Sequence, residues 1–488
     1  MVVHKEEEAI IQTYSEAQQN RYGDSLNQNL EEVLPARVRL DTRTNILKEL
    51  KKTWISWTVE RRLEFSKSYG HIGFLLHVGV NFDVITVLVE FWNPYYHCFT
   101  LEGVDMAPTM EEYVSLLHLP KTYEPYKPNT VTSFRKELCK ILGVKPRRVN
   151  AHVGKEDKTI SWDNLTAMVN QDDAEKSHMS MLALAIYGLV IFPKEMGVID
   201  HGTVSFLAQI QGGVNPVPGI LAETFRSLNH CRIKGKGRLK CCIPLLYVWF
   251  MSHVPCKESY FHPIYSSLRI PLTDFEKASW EDYPSKEKWA GRMHNWETKG
   301  FSWLAPWMGN SDMVYRCGDF PWVPLLGPWG GIAYAPLMFR RQVGSCQFIP
   351  MTHGLSKSEF TYEQEEDHKK MGKFVAAWQI VHIIGSGKRL TEVQGNYYKW
   401  IANRISLQVA GIPNPLQAPM NQDLMEERIK EVEVITKKAK DRERQIIRKY
   451  QKNVKRKRDK CIQAEEEIVA LRKRLQVETQ INKAWTQR

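Results

Sequence analysis

The chain has 488 residues, of which 43% are hydrophobic and 25% are charged, and 15 are tryptophan. These are ordinary globular proportions, and so many bulky aromatic residues exclude a mainly disordered chain. The net charge is +12, and residues 421–488 alone hold 20 Lys and Arg against 12 Asp and Glu. A nearly neutral body followed by a basic tail is therefore the expected organisation.

Composition divides the chain into four segments. Residues 1–45 are polar and charged, which predicts a loosely ordered or peripheral N-terminal segment. Apolar density is high across 46–410, which predicts the folded body. Three prolines within 411–423 indicate a linker, and the charged stretch 424–488, which has neither glycine nor proline, predicts a helix.

Cysteine usage and apolar run lengths bear on the compartment. The nine cysteines are irregularly spaced and the first ten residues are polar, without the pattern of a signal peptide. We therefore expect free thiols in a reducing compartment. The longest apolar run, Met181–Phe192, has twelve residues, whereas a membrane helix needs about 20. It is expected to form a buried helix in a soluble protein that does not enter a membrane.

Local signals within the body predict a mainly α fold with a few short strands. Thr109 and Glu112 have the spacing of a capping box at a helix start, and Pro120 ends that segment. Ser161 is predicted to cap a second helix. Ile243–Val254 is apolar nearly all round, which predicts a fully buried helix, with a strand as the alternative.

Region 271–350 is rich in tryptophan and is broken by proline and glycine every few residues. We expect short helices, loops and a few strands, packed by large rings. Core packing is the favoured role of the rings, and base stacking is the alternative. The tryptophans concerned are Trp280, Trp289, Trp296, Trp303, Trp307, Trp322 and Trp329.

The C-terminal segment has a heptad period that predicts a coiled coil. In this frame the a positions are Ile447, Val454, Cys461, Ile468 and Leu475, and the d positions are Tyr450, Lys457, Ala464 and Leu471. Only Lys457 interrupts the apolar seam. We expect a homo-oligomer formed through 447–475, with packing on the body or a lone charged helix as alternatives.

A basic run within this helix, Lys455, Arg456, Lys457 and Arg458, is similar to a nuclear import signal. Nucleic-acid contact by the basic tail and simple solvation are the other interpretations. The expected location is the nucleus, with the cytoplasm as the alternative.

Familiar catalytic motifs are missing from the sequence, which contains no GxxxxGK[ST], HExxH or GxSxG. The basic glycine segment Ile233–Arg238 lacks the spacing of a phosphate-binding loop and is interpreted as a mobile turn rather than a phosphate site. Asp83, Asp105 and Asp200 lie in apolar surroundings, yet a helix cap or a turn explains each. We therefore assign no catalytic residue.

The best zinc candidates are His253 and Cys256, which form one close pair, with Cys241 nearby in sequence. Zinc usually takes two such pairs. The adjacent pairs His230–Cys231 and Cys241–Cys242 are poorly spaced for chelation. Buried thiols are the favoured interpretation, so we expect neither a metal nor a cofactor.

Five blocks of the body resemble the plant mobile domain family, in the same order and over about residues 60–405. The first block, Leu88–Pro120, is followed by Ala183–Asp200 and by Gly219–Val254. The last two blocks are Arg340–Pro350 and Asn396–Arg404. The principal matching residues are Trp92, His97, Phe99, Pro108, Thr109, Glu112, Arg341, Gln342, Gly344, Gln347 and Pro350.

The chain departs from the family pattern at two places. Pro218-Gly219 stands where the family has Trp-Gly, and Val343 replaces a Phe. The resemblance is therefore to a divergent, uncharacterised, transposon-associated branch with a C-terminal coiled coil. It implies a mainly helical domain and a nuclear role in transposon silencing or genome maintenance. The aminotransferase-like label of that family finds no support here, because no lysine lies in a setting that marks it for a Schiff base.

The block Arg340–Pro350 is interpreted as a polar clasp inside the fold. Arg341 and Gln342 can satisfy several buried carbonyls or carboxylates, Gly344 can supply a turn, and Pro350 ends the segment. A recognition surface is the alternative.

Three functions remain open on the sequence. The first is a non-enzymatic nuclear protein whose body binds a protein or nucleic-acid partner and whose tail self-associates. The second is a transposase-like enzyme, or a degenerate remnant, with a carboxylate–metal site. The third is a cytosolic coiled-coil scaffold.

Overall fold

The computed structural model describes residues 2–6, 8–25, 37–39, 44–101, 104–128, 133–154, 157–169, 173–194, 197–254, 272, 285–294, 302–305, 307–308, 311–385, 393 and 395–411. These residues belong to one compact unit, Met1–Ile412. The predicted linker 411–423 and coiled-coil segment 424–488 lie, apart from residue 411, outside the described residues.

The described fold is mainly α-helical with a few short strands, as the sequence predicts. The helices are α1 (Glu8–Tyr22), α2 (Thr44–Ser56), α3 (Val59–Tyr69), α4 (Phe82–Glu90), α5 (Met110–Leu116), α6 (Phe134–Leu142), α7 (Pro146–His152), α8 (Trp162–Met168), α9 (Glu175–Ile186), α10 (His201–Ile210), α11 (Val217–Ile233), α12 (Ile243–Ser252), α13 (Lys286–His294), α14 (Glu365–Ala377) and α15 (Gly395–Gly411).

The strands form small sheets of two or three members. They are β1 (Val2–Glu6), β2 (Arg37–Arg39), β3 (Trp92–Asn93), β4 (Cys98–Leu101), β5 (Val104–Met106), β6 (Thr159–Ser161), β7 (Val198–Asp200), β8 (Lys236–Arg238), β9 (Met313–Cys317), β10 (Val323–Leu326), β11 (Gly330–Tyr334), β12 (Phe360–Thr361) and β13 (Val381–Ile384). The sheet orders are β1-β13-β9, β10-β11-β12, β2-β8, β3-β4-β5 and β6-β7. The pairs β1–β13 and β2–β8 are parallel and the others antiparallel.

The predicted helix starts and buried helices are confirmed. Ser161 caps α8 by accepting from the backbone N–H of Asn164. The apolar run Met181–Phe192 forms the end of α9 and a π-helical turn, Tyr187–Ile191, and it is buried throughout. Helix α12 is buried along nearly its whole length, so the helical interpretation of that run is correct.

Residues 2–6 and 8–25 of the polar N-terminal segment pack on the body. Strand β1 pairs with β13 inside the body. On α1, the residues Ile11, Ser15 and Gln19 are buried at a spacing of four, and Ser15 Oγ donates to the Ile349 carbonyl at 2.8 Å. Residues 2–6 and 8–25 are therefore part of the body. Two of the three buried side chains on α1 are polar, so a search for apolar periodicity does not detect this buried face.

The tryptophans of region 271–350 that the structure describes take part in packing. Trp289 and Trp322 are buried, whereas Trp303, Trp307 and Trp329 are half-buried against the main core. This agrees with the core-packing interpretation. Trp280 and Trp296 lie outside the described residues.

Within the described part of the chain, no single helix is long and apolar enough to span a membrane. One pair, Val59–His77 with Phe82–Glu90, passes by length and composition only when taken together, and it is bent by 104°.

Helices α10 and α11 approach each other at Gly219, in the pair where the chain departs from the plant mobile domain pattern. A Cβ at this position would lie 2.4 Å from Cε2 of Phe206. The Phe206 ring is itself surrounded by Tyr126, Tyr187 and Phe192, with centroids 4.9 to 5.9 Å away. Only glycine fits this contact without moving a packed ring.

We predict that Gly219→Ala lowers the free energy of unfolding by about 1–3 kcal/mol through overpacking. Gly372→Ala is the matched control, because Gly372 is also helical, in α14, and a Cβ there meets nothing within 4 Å. That control should raise stability by up to about 1 kcal/mol through helix propensity. Urea unfolding followed by tryptophan fluorescence measures both variants, and equal shifts in the two would refute the steric argument.

Candidate functional site

Helix α5 begins with the capping box that the sequence predicts. The hydroxyl of Thr109 accepts from the Glu112 N–H at 3.2 Å, and Glu112 Oε2 accepts from the Thr109 N–H at 3.0 Å. The reciprocal bonds satisfy two backbone donors that the start of a helix leaves without intrahelical partners.

The Glu112 carboxylate has further partners, although its side chain is completely buried. Its Oε2 accepts from Trp249 Nε1 at 2.8 Å and from Gln342 Nε2 at 2.9 Å. Its Oε1 lies 3.0 Å from Nε2 of His253 and 3.1 Å from Gln342 Nε2. Thr109, Glu112, Trp249, His253 and Gln342 are named the Glu112 cluster below. It joins α5, α12 and the helical turn Pro336–Val343 through one carboxylate.

The ring of His253 faces two acceptors. Its Nδ1 lies 2.7 Å from the Ser302 carbonyl, and its Nε2 faces Glu112. Both nitrogens can donate only in the protonated imidazole. The contact is an ion pair only when the imidazole is protonated and the carboxylate ionised, and a buried pair of that kind requires its remaining lone pairs to be hydrogen-bonded.

Gln342 also pairs with the backbone before α5. Its Oε1 accepts from the Ala107 N–H at 3.2 Å, and its Nε2 donates to the Ala107 carbonyl at 2.9 Å. Gln347 acts similarly, accepting from the Arg340 N–H at 3.1 Å and donating to the Leu337 carbonyl at 2.7 Å. The role in a polar clasp that was predicted for Gln342 is confirmed, and Gln347, for which no such role was predicted, has the same kind of contacts.

Gly344 and Pro350 have the positions that the sequence predicts. Gly344 ends the turn with a left-handed φ of 72°, which glycine adopts without strain. Pro350 is buried at the end of the segment.

The arginine of the clasp is Arg340 rather than Arg341. Arg340 is fully buried, and its Nη2 lies 3.1 Å from Glu8 Oε1 of α1. Arg341 is only half-buried, and its guanidinium lies 3.9 Å from the centroid of the Trp303 ring. Burial lowers the pKa of both guanidinium groups. The prediction named Arg341, whereas the fully buried arginine that reaches a carboxylate is Arg340, and Arg341 packs on the Trp303 ring.

The aromatic residues of the first block are internal. Trp92 Nε1 donates to Asn229 at 2.7 Å, and the Phe99 ring lies between Trp92 and Trp249. Nδ1 of His97 lies 2.6 Å from the Ala333 carbonyl, and burial lowers the pKa of His97 to about 4. His97 is therefore a neutral, structural donor.

A second buried ion pair lies next to the clasp. Asp105 on β5 accepts from Nη2 of Arg404 and, at 2.9 Å, from the hydroxyl of Thr100. The guanidinium of Arg404 is 4.1 Å from the Tyr96 ring centroid and 4.8 Å from that of Trp400. Burial acts to lower the pKa of Arg404, but the charge and hydrogen bond of Asp105 outweigh it and raise that pKa. This pair fastens α15 to the β3-β4-β5 sheet.

A narrow cleft beside Gln342 and Asp105 has no room for a water molecule. It is lined by Asp105, Trp303, Met338, Phe339, Arg341, Gln342, Gln347 and Tyr397. Asp105, Gln342 and Gln347 are hydrogen-bonded to neighbours within the fold, so these side chains position secondary-structure elements.

The zinc candidates that the structure describes, His253 and Cys241, do not belong to a common set of metal ligands. His253 is engaged with Glu112 and Ser302. Cys241 and Cys242 are buried, as the buried-thiol interpretation predicts, and burial raises the pKa of both, to about 12 for Cys242. Cys256 lies outside the described residues.

The three acids noted in the sequence do not share a site. Asp200 caps α10 and accepts from Trp329 Nε1 at 2.8 Å. Asp83 lies exposed in the first turn of α4, and Asp105 pairs with Arg404. The cap explanation is correct for Asp200, whereas Asp105 is a strand residue held by an ion pair. Among the described residues, no group of three His, Cys, Asp or Glu is arranged to hold a metal ion.

Sequence reasoning missed Trp249 and Arg404. Trp249 and His253 are four residues apart, so a helix places both donors on one face, and this spacing is a signal that was available. Arg404 ends the closing aromatic block, where nothing local marks a partner 299 residues away. The import-like residues Lys455–Arg458 and the seam residues from Ile447 to Leu475 lie outside the described residues.

The fold and its interior define a mainly α-helical body organised around buried carboxylates. The chain belongs to the family described as a domain of unknown function, DUF7745, whose model matches residues 47–406. No curated protein and no solved structure matches the chain.

We predict that Glu112→Gln lowers the free energy of unfolding by about 3 kcal/mol or more, since buried donors then face an amide N–H. Urea unfolding at pH 7 measures the loss. Glu64→Gln on α3 is the control, because Glu64 is exposed, and it should change stability by less than about 0.5 kcal/mol. Equal stabilities of the Glu112→Gln and Glu64→Gln variants would contradict the role given to the cluster.

The neighbouring carboxylate, Glu111, should behave in the opposite way. Its Oε1 accepts from the Val314 N–H at 3.0 Å, but its Oε2 has no hydrogen-bond partner among the described residues. Burial raises its pKa from 4.5 to about 7. Between these two values the unfolded chain has lost the proton that the folded chain keeps, so stability falls as pH rises.

We predict that Glu111→Gln removes this pH-dependent cost. The stability of the variant relative to the wild type should rise between pH 4.5 and pH 8, by an amount on the order of 3 kcal/mol. Urea unfolding of both proteins at several pH values gives this difference. A difference that stays constant with pH would refute the raised pKa.

Proposed function

We propose that the protein is a transposon-derived nuclear protein that works by binding rather than by catalysis. Its helical body binds a protein or nucleic-acid partner, and its tail self-associates. We also propose that it belongs to a divergent branch of the plant mobile domain family and that it has a role in transposon silencing or genome maintenance.

One observation carries this proposal. Glu112 and Gln342, which match the plant mobile domain pattern, are hydrogen-bonded to other groups of the protein inside the fold. Both oxygens of Glu112 accept from donors within the protein, and the Gln342 amide is engaged on both of its atoms. A general acid or base must reach a proton on the substrate. Side chains so enclosed support an architectural role, which leaves recognition to the surface.

The nuclear location and the self-association rest on the tail sequence. Lys455–Arg458 has the composition of an import signal, and Ile447, Val454, Ile468, Leu471 and Leu475 have heptad spacing. A cytosolic scaffold would have the same seam without a working import signal, so location separates the two functions.

We predict that a fluorescent fusion of the full chain accumulates in nuclei and that changing Lys455–Arg458 to glutamine removes this accumulation. The control changes Lys430, Lys437, Lys440 and Arg448 to glutamine, which removes the same charge from scattered positions. The control should stay nuclear. Quantitative imaging gives the nuclear-to-cytoplasmic ratio, and a wild-type fusion that remains cytoplasmic would favour the scaffold.

A further inference from the structure

The N-terminal segment is bound to the rest of the body in the way that a peptide is bound by a partner. Strand β1 pairs in parallel with β13, which pairs with β9 on its other edge. Helix α1 follows and packs its buried face on the body. Strand addition and a helix in a groove are two general modes of peptide recognition. We name β1 together with residues 8–25 the strap, and the surface of the body that contacts it the groove.

The floor of the groove beneath α1 is apolar. It is a cluster of ten buried residues that is separate from the main core. Nine of the ten belong to the body, among them Met313, Leu337, Val343 and Phe348, whereas Ile11 alone comes from the strap. Exposing such a surface to water is unfavourable, so the groove needs an occupant.

A buried charge in the groove makes the same demand. The side chain of Arg340 is fully buried, and its Nη2 lies 3.1 Å from Glu8 Oε1 of the strap. Its Nε and Nη1 have no hydrogen-bond partner among the described residues. A buried guanidinium that loses its carboxylate is strongly destabilising. The groove is therefore specific for a segment that places a carboxylate at the position of Glu8.

The other contacts of α1 and the residues after it are mainly polar. Gln19 Oε1 accepts from the hydroxyl of Thr352 at 3.3 Å, and Asp24 Oδ2 accepts from Trp400 Nε1 at 2.7 Å. No residue of α1 belongs to the main core. Segments with few buried apolar contacts open at a lower free energy than the core does. The strap can thus leave its groove while the main core stays folded.

The length of the connection decides which grooves the strap can reach. Residues 26–36 separate the strap from β2 in the sequence. A connection of this length spans up to about 40 Å when extended. A strap that has opened can therefore reach the groove of a neighbouring copy. All its contacts with the groove would be the same there, because the two grooves are identical.

We propose that the groove is a docking site for the strap of a second copy, and that two copies exchange their straps reciprocally. The exchange leaves neither the apolar floor nor the Arg340 charge uncovered. This goes beyond the proposed function, in which self-association occurs through the tail. It gives the body an interface of its own, which forms without the tail seam.

The test uses full chains with Ile468→Asn, Leu471→Asn and Leu475→Asn, so that pairing through the tail seam does not mask the exchange. One preparation also carries Glu8→Arg and the other Arg340→Glu. Either variant alone opposes like charges in every strap and groove, whether closed or exchanged. A heterodimer with exchanged straps restores opposite charges in both of its grooves.

We predict that the equimolar mixture dimerises about ten-fold or more tightly than either variant alone, since exchange restores two ion pairs with a buried partner. Analytical ultracentrifugation over a concentration series measures the association. The double variant Glu8→Arg/Arg340→Glu restores the pair within one chain, so it should dimerise no more tightly than the chain with the seam changes alone. The matched control mixes Arg61→Glu with Glu175→Arg, which form an ion pair at 3.1 Å outside the strap. That mixture should associate no more tightly than its separate components.

Equal association of the charge-reversed mixture and of its separate components would overturn the exchange, and the groove would then hold only the strap of its own chain. A heterodimer that forms equally in the control mixture would overturn it as well. If Arg340→Glu does not fold alone, the two strap variants are refolded together from urea. Recovery of a folded dimer only on joint refolding supports the exchange, whereas continued aggregation of Arg340→Glu contradicts it. The seam is altered throughout, so these failures are distinct from failure of the proposed tail self-association.

Discussion

The buried carboxylate of Glu112 is the interaction on which the centre of the fold depends. Removing an ionised carboxylate from water is costly, and the cost is offset only when each lone pair finds a donor. Here the donors come from α5, from α12 and from the turn that contains Gln342. Because no one element supplies them all, the carboxylate is satisfied only when the three are assembled together.

This dependence explains which parts of the structure the sequence could predict. The capping box of α5 lies within four residues, and the buried helix α12 is a continuous apolar run, so both are local signals. The clasp was predicted as a type of interaction, since a glutamine can serve several buried groups at once. Its partner was not predictable, because Gln342 and Glu112 are 230 residues apart.

The predictions that the structure corrects failed for a similar reason, because they depend on contacts that only the folded chain brings together. The buried face of α1 has polar Ser15 and Gln19 beside Ile11, so hydropathy alone marked that segment as peripheral. Arg340 and Arg341 are adjacent and chemically identical, and only the path of the turn decides which reaches Glu8 and which stacks on Trp303. The glycines of Ile233–Arg238 favour a turn, whereas pairing with the distant strand β2 makes Lys236–Arg238 a strand.

The charged residues of the body have different roles in the interior and at the surface. Inside, Glu112, Asp105, Arg340 and Arg404 have partners of opposite charge or dedicated donors, so their fields are largely cancelled. A body whose motif residues are engaged inside its own architecture can still bind a partner, provided that the charges of its surface carry the interaction.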